Sequence, residues 1–98
     1  MQIEFEWDEA KASSNLRKHA VAFEQACSVF GDPNILSIVD VEHSEEEERW
    51  ISIGMAYNEV PLTIAYVWSG AVQDRLKVRI ISARKSTKEE IRYYQGEA

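Results

Sequence analysis

The second half of this 98-residue chain contains four short segments with the composition of β-strands, joined by short connections. They are rich in β-branched and aromatic residues, and the last one alternates apolar and basic side chains, which is the pattern of a strand with one buried face. Neighbouring strands with short connections favour antiparallel pairing. The four predicted strands are residues 35–39, 49–54, 61–68 and 75–81.

The first half predicts one strand and two helices. Alternation over residues 3–7 indicates a strand, and Asp8 then stands at an N-cap position before a helix that we expect to end near His19. A second helix is predicted from apolar residues spaced i, i+3, i+4 and i+7, and breaker residues from Gly31 onward end it. The apolar residues of this stripe are Phe23, Ala26, Cys27 and Phe30.

The chain is predicted to close with a short helix, because Ser86 precedes Thr87, Lys88 and Glu89 in a capping-box arrangement. The expected order is therefore β-α-α-β-β-β-β-α. We expect an α+β fold with an antiparallel sheet of four to five strands, the two N-terminal helices on one face, and a short C-terminal helix. The length predicts a single domain over residues 1–98.

Composition and charge bound the class of protein. The formal net charge is −6, but residues 1–48 carry 12 acidic and 3 basic side chains whereas residues 49–98 carry 5 acidic and 8 basic. The lone Cys27 cannot form an internal disulfide, the N-terminus lacks a signal-peptide pattern, and the longest apolar stretch is too short to span a membrane. We therefore expect a cytoplasmic protein with no membrane partner.

The last predicted strand places Arg75, Lys77 and Arg79 on one face, about 7 Å apart. That spacing resembles the phosphate spacing of a single nucleic-acid strand, and arginine binds phosphate in a bidentate manner. A solvated outer face that keeps a sheet soluble is the alternative explanation. Four further cations follow within the same short region, which favours a functional patch: Arg84, Lys85, Lys88 and Arg92.

The two histidines are candidates for proton transfer, because their unperturbed pKa lies near neutrality. His19 stands at a helix end, where capping is the simpler role, and His43 opens an acidic turn, where it is either solvated or part of a site. The glutamates 45–48 form a solvated run or a docking site for a basic partner. Metal-ligand spacing, a nucleophile elbow and a phosphate-binding glycine loop are all missing from the sequence, and no metal or cofactor is expected.

Three separate motifs resemble the BrnT family of bacterial toxins. They occur in the same order and spacing as in that family, from residue 5 to about residue 94, and lie at 5–33, 43–54 and 79–86. The sequence departs from the family pattern at Ala20, a turn position that usually holds glycine, and residues 55–74 match poorly. The resemblance implies a compact fold of the RelE/ParE-like group.

The resemblance also implies a function and partners. It implies the toxin of a type II toxin–antitoxin system, a metal-independent endoribonuclease that cleaves RNA and inhibits translation. The implied partner is a BrnA-like antitoxin with a ribbon-helix-helix domain, in a hetero-tetramer that contacts operator DNA through the antitoxin.

Carried onto this sequence, the resemblance gives a set of expected site residues. Arg79 and Arg84 are the preferred phosphate clamps and Lys18 is a further candidate, while His43 is the first candidate for proton transfer and His19 the second. The expected RNA-binding residues are Arg75, Lys77, Arg79 and Lys85. Two alternatives stay open: a non-catalytic interaction module, and a ParE-like gyrase inhibitor, since one fold group hosts several activities.

Overall fold

The computed structural model describes residues 2–96 and contains a five-stranded sheet with three α-helices. In the sheet the strands lie in the order β1-β5-β4-β3-β2. The elements are β1 (Gln2–Glu6), α1 (Glu9–His19), α2 (Phe23–Cys27), β2 (Leu36–Val39), β3 (Arg49–Met55), β4 (Pro61–Val72), β5 (Arg75–Lys85) and α3 (Lys88–Tyr94).

The sheet is mixed, so the prediction of an antiparallel sheet is wrong for one strand. β2, β3, β4 and β5 pair antiparallel, as short connections favour. β1 instead pairs parallel with β5, in a register that places Phe5 opposite Val78. Residues 7–74 separate β1 from β5, so no hairpin constrains their relative direction. The alternation of residues 3–7 fits either direction of pairing.

The order along the chain differs from the prediction by two added 3-10 helices, Ser28–Gly31 and Val41–His43. The first of them takes over the second half of the predicted second helix, so the apolar stripe there is continued by a tighter turn. The C-terminal helix begins one residue later than predicted: Thr87 is its N-cap and forms the capping box with Glu90, rather than Ser86.

α1 and α2 lie on one face of the sheet and cover the main core. α2 contributes Phe23 and Ala26, which are almost fully buried against strand residues such as Tyr66 and Ile80. α1 is attached at the edge of β5 by a buried side chain, because Asn15 donates to the carbonyl of Ala83 (2.8 Å) and accepts from its N–H (3.1 Å). The predicted Asp8 cap of α1 is confirmed: its carboxylate accepts from the N–H groups of Ala10 and Lys11.

α3 lies against the opposite face of the sheet, which we call the outer face. Strand register places Ile53, Thr63 and Arg84 side by side on this face, and Thr63 and Arg84 both donate to Glu90 of α3. Arg75, Lys77 and Arg79 lie on the same face further along β5. No helix within residues 2–96 is long and apolar enough to cross a membrane.

Candidate functional site

Two arginines face outward from neighbouring parts of the sheet. Arg49 opens β3 and Arg79 lies in the middle of β5, and both are opposite Val67 of the intervening strand β4. Directly opposite residues share a face, so the two guanidinium groups flank the side chain of Val67 on the outer face, with their Cα atoms about 10 Å apart. Because Val67 is only 1% exposed, the groups around it form a closed layer.

The segment between β2 and β3 crosses this part of the outer face. Glu47 in that segment accepts a hydrogen bond from Arg79 Nη2, although the two residues are far apart in sequence. The Nε–H of Arg79 is buried and has no acceptor among the described residues. The pairing with Glu47 therefore leaves one donor of Arg79 unsatisfied, which is a destabilising condition for a buried polar group.

His43 is held by a carboxylate at the start of the same segment. Asp40 Oδ2 lies 2.8 Å from His43 Nδ1, and the Asp40 carboxylate is largely buried whereas the His43 ring is 61% exposed. Ser44 stabilises the turn, since its hydroxyl donates to the Asp40 carbonyl (2.6 Å) and accepts from the Arg49 N–H (2.9 Å). An imidazole held at Nδ1 presents Nε2 outward, the arrangement that proton-transfer histidines require.

Arg49, His43 and Glu47 are part of the lining of a shallow cleft of about 310 Å³. Its walls carry one arginine, one histidine and four carboxylates, so a cation and ionisable groups share one surface. The carboxylates exceed the cations, so the cleft itself does not attract a polyanion. The lining residues are Glu42, His43, Glu45, Glu46, Glu47 and Arg49.

The predicted RNA-binding residues Arg75 and Lys77 lie on the outer face, but each is ion-paired. Arg75 contacts Glu4 at 3.1 Å and Lys77 contacts Glu6 at 3.7 Å, both on the neighbouring strand β1. The four side chains are 45–65% exposed. Exposed pairs of this kind contribute little to stability, so a phosphate can replace the glutamate partner at a small cost in free energy. Arg75 and Lys77 also line a second cleft, of about 530 Å³, beside the β4–β5 hairpin.

Arg84, predicted as a phosphate clamp, is bound by α3. Its guanidinium donates to both oxygens of Glu90, at 2.7 and 2.8 Å, and Glu90 also accepts from Thr63 Oγ1 and the Thr87 N–H. The hydrogen bonds from Arg84 lower the pKa of Glu90 to about 2, and the same contact raises the pKa of Arg84. Arg84 therefore anchors the C-terminal helix, roughly 13 Å along β5 from Arg79.

The other predicted site residues do not join the cleft. Lys18 and His19 end α1, which is attached at the β5 edge, so β4 and β3 separate them from the segment that carries His43. Lys85 is opposite Leu62 at the end of β5, and register places it on the face opposite to Arg84. The structure thus places His43 in the lining of the cleft and connects Arg79 to that lining through Glu47. Lys18, His19, Arg84 and Lys85 lie elsewhere.

Three residues of the cleft region were missed at the sequence level: Asp40 as the partner of His43, Glu47 as the partner of Arg79, and Arg49. The contact between Asp40 and His43 could have been predicted from their spacing across a short turn. The contact between Glu47 and Arg79 could not, because it depends on how the acidic segment folds over the sheet. Among the described residues, no three His, Cys, Asp or Glu side chains are grouped so as to hold a metal ion.

Cys27 is half-buried and packs against the core, as predicted. Burial raises the pKa of its thiol to about 11, with a smaller contribution from Glu24, so the thiolate needed for nucleophilic chemistry is disfavoured.

Comparisons with known proteins relate this geometry to a family. Residues 7–90 match the family model described as "Ribonuclease toxin, BrnT, of type II toxin-antitoxin system". The fold is similar to the 1.1 Å crystal structure of the Brucella abortus ribonuclease toxin, BrnT, with a TM-score of 0.52 and 19% sequence identity, covering 90% of this chain and 100% of that chain. A comparison with curated proteins finds no significant match.

The family match spans most of the chain and shows its class, which is the toxin of a type II toxin–antitoxin system. The chain belongs to the BrnT family of ribonuclease toxins, as the resemblance of its sequence motifs predicted. At this level of identity, the likeness to the Brucella structure shows the fold alone.

Proposed function

We propose that this chain cleaves RNA at the outer face of the sheet, with His43 and Glu47 moving protons and Arg79 and Arg49 binding the phosphate. The observation that carries the proposal is that one cleft is lined by an imidazole held by Asp40 and by Glu47, the hydrogen-bond partner of Arg79. We assign Asp40 as a positioning residue, because its largely buried carboxylate contacts the ring of His43 and is not part of the cleft lining.

The chemistry follows from the substrate. The 2′-oxygen of RNA attacks the adjacent phosphorus, the bond from phosphorus to the 5′-oxygen breaks, and a 2′,3′-cyclic phosphate and a free 5′-hydroxyl result. One group takes the proton of the 2′-hydroxyl and another gives a proton to the departing 5′-oxygen, the roles we assign to His43 and Glu47. Since RNA supplies the nucleophile, the protein has only to orient it and stabilise charge, so we propose that no metal is required.

Arg79 is poised to exchange partners. Its pairing with Glu47 leaves Nε–H without an acceptor, whereas a phosphate group offers several acceptor oxygens and a stronger charge. When phosphate displaces Glu47 from Arg79, the carboxylate is released next to the reacting group. The same exchange therefore supplies both the charge clamp and a free base.

RNA approaches this cleft from the basic side of the outer face. The cleft itself is rich in carboxylates, so a polyanion is not drawn into it directly. Arg75, Lys77 and Arg79 follow one another at alternate positions of β5 and lead from the second cleft to the first. We propose that this row binds successive phosphates and delivers one to Arg79. Arg84 extends the row only as an outer contact. Lys85, on the opposite face of the sheet, takes no part, and neither do Lys18 and His19.

The test is cleavage of free RNA by the purified chain in the presence of a chelator. We expect His43→Ala and Arg79→Ala to lower the cleavage rate by about 10²- to 10⁴-fold, the usual contribution of a proton-transfer group or charge clamp. Asp40→Asn should lower the rate less and shift its pH profile. His19→Ala is the matched control, since it removes an exposed histidine from the far side of the sheet.

Each outcome bears on a separate part of the proposal. Undiminished cleavage by both His43→Ala and Arg79→Ala would overturn the site, and loss of activity in His19→Ala would move it to the end of α1. Inhibition of the wild-type chain by the chelator would overturn the metal-free mechanism. Growth arrest with DNA damage and intact RNA, on expression without antitoxin, would favour a gyrase inhibitor, and no arrest would favour a non-catalytic module.

The wider biology is proposed on the family assignment alone. We propose that residues 1–98 act as one domain in the cytoplasm, that RNA cleavage there inhibits translation, and that the fold belongs with the RelE/ParE-like group. The antitoxin that a type II toxin requires is proposed to carry a ribbon-helix-helix domain, to form a hetero-tetramer with this chain and to contact operator DNA.

A further inference from the structure

The strand β2 forms one edge of the sheet and is exposed along its whole length. Every residue of Leu36–Val39 is classed as exposed, and no other strand within residues 2–96 pairs with its outer side. Edge strands of soluble proteins are normally protected by charges, proline or a covering element, because an open edge is a template for strand addition. β2 has no charged residue.

The backbone of this edge has groups available for pairing. Asp40 donates its N–H to the carbonyl of Arg49 (2.8 Å), so residues at even positions of β2 direct their N–H and C=O groups toward β3. By the alternation of an antiparallel ladder, Ser37 and Val39 direct theirs away from the sheet. An added strand would therefore pair with Ser37 and Val39.

Several side chains at this edge are apolar and exposed to solvent, so they contribute little to the core. Ile38 is 54% exposed and Val41, just past the strand, is 81% exposed. Leu36 and Ile38 lie on the outer face, where their register neighbours are Ile53 and Ile51. An incoming strand with apolar residues at alternate positions would extend this apolar surface rather than leave it in water.

The continuation of β2 leads into the acidic segment. Asp40 directly follows the strand, and the cleft beyond it is lined by Glu42, Glu45 and Glu46 together with His43. A polypeptide paired with β2 that runs on past Val41 would meet these carboxylates. Charge complementarity therefore selects a segment that is apolar where it faces β2 and carries Lys or Arg where it leaves the edge.

We propose that the free edge of β2 binds an extended segment of the antitoxin as a sixth strand, with basic residues of that segment against Glu42, Glu45 and Glu46. The bound segment covers the cleft of His43, which explains inhibition by exclusion of RNA. The consequence for activity rests on the proposed function, whereas the binding itself rests on the strand edge and its charges.

The decisive variant is Val39→Pro. The N–H of Val39 points away from β3, so a proline at this position removes a donor that only an added strand would use. The hydrogen bonds between β2 and β3 stay intact. With the purified cognate antitoxin as probe, we expect Val39→Pro to weaken binding at least about tenfold, and the matched control Val39→Ala to weaken it far less. RNA cleavage by free Val39→Pro should equal that of the wild type. Wild-type affinity for both variants would overturn the proposal.

A second measurement does not depend on the folding of any variant. Hydrogen exchange on the wild-type chain should show the amides of Ser37 and Val39 unprotected when free and protected in the complex. Protection confined to other elements, such as α1 or the β4–β5 hairpin, would overturn the proposal.

A third measurement tests the acidic segment. Replacing Glu45 and Glu46 by lysine should weaken antitoxin binding relative to the wild type and make the affinity less sensitive to salt. An unchanged affinity would overturn the part of the proposal assigned to the acidic segment.

Two remaining outcomes separate the proposals. If His43→Ala retains full ribonuclease activity while Val39→Pro loses antitoxin binding, the proposed active site fails and the docking edge stands. If the free chain forms a dimer that Val39→Pro abolishes without affecting antitoxin binding, the edge belongs to a second copy of this chain and the antitoxin proposal is overturned.

Discussion

Ala20 occupies a backbone conformation that costs an L-residue free energy. It follows α1 at φ 57° and ψ 31°, in the left-handed region, and its N–H donates to the carbonyl of Leu16. This is the C-terminal helix position at which glycine is most common, because glycine has no Cβ to clash there. Alanine in place of the usual glycine at position 20 therefore strains the backbone at the end of α1.

We expect Ala20→Gly to stabilise the protein by up to about 1 kcal/mol, since relief of the left-handed strain exceeds the added flexibility of the unfolded chain. Urea denaturation with a common m-value is the measurement. Ala10→Gly is the matched control. Ala10 lies inside the first turn of α1, where glycine is a poor helix former, so this change should lower the free energy of unfolding. A loss of stability in Ala20→Gly would contradict the strain argument.

At the scale of elements, α3 is held to the outer face by a small number of polar contacts. Glu90 joins Arg84, Thr63 and the Thr87 N–H, and Tyr94 donates to Asp32 Oδ2 at 2.5 Å. The hydrogen bond to Asp32, aided by burial, raises the pKa of Tyr94 to about 12. The helix has only 7 residues and none of them is buried, so these contacts decide whether it stays docked.

The Glu90 network predicts a specific pH dependence of stability. Hydrogen bonds from Arg84 lower the pKa of Glu90 from 4.5 to about 2, so the folded state favours the charged carboxylate. A lowered folded-state pKa contributes stability that is complete above the unfolded pKa and is lost as the pH falls from about 4.5 to about 2. The free energy of unfolding of Glu90→Gln should therefore fall less steeply over this window than that of the wild type.

Urea denaturation at a series of pH values measures this slope. Glu89→Gln is the matched control, because Glu89 is the exposed neighbour of Glu90 in the same turn and should keep the wild-type slope. Equal slopes for Glu90→Gln and the wild type would show that the network does not contribute.

The positions of most strands and helices could be predicted from the sequence, whereas the pairing of all the strands into one sheet could not. Residue patterning predicted each strand and helix within a few residues, because alternation and capping are local properties. The parallel partnership of β1 with β5 was not readable, since the alternation of residues 3–7 is the same for either direction. For the proposed site, His43 and Arg79 were candidates from residue type and family resemblance, and their roles stay predictions. The contact of Glu47 with Arg79 was not predicted, because it depends on a long-range crossing of the sheet that no local pattern encodes.

At the scale of the whole molecule, the distribution of charge bears on the binding of both RNA and a protein partner. The net charge of −6 opposes any general attraction to RNA. Three cations of β5, Arg75, Lys77 and Arg79, are paired with Glu4, Glu6 and Glu47 respectively. RNA binding along this row, as proposed above, therefore replaces internal ion pairs one by one, rather than filling an open basic surface. In the same proposals, the carboxylates around His43 disfavour other orientations of RNA and favour a basic protein segment.

This balance predicts a shallow dependence of RNA affinity on salt. If Arg75, Lys77, Arg79 and Arg49 each neutralise one phosphate, the logarithm of the association constant should fall with the logarithm of salt concentration with a slope of about −2.8 for a single strand. Removing two of these contacts in the double variant Arg75→Ala/Lys77→Ala should reduce the slope to about −1.4. Binding of a 2′-O-methyl oligonucleotide, which cannot be cleaved by its own 2′-oxygen, measures the slope free of catalysis.

The double variant Lys88→Ala/Arg92→Ala removes two cations from α3 and is the control with the same change in net charge. Its slope should equal that of the wild type, because the row along β5 is untouched. If both double variants reduce the slope equally, RNA responds to net charge alone and the row along β5 has no special role. If only the β5 variant does so, the local arrangement of cations determines RNA binding despite the acidic total, since a few exchangeable ion pairs next to the cleft are sufficient to position a phosphate.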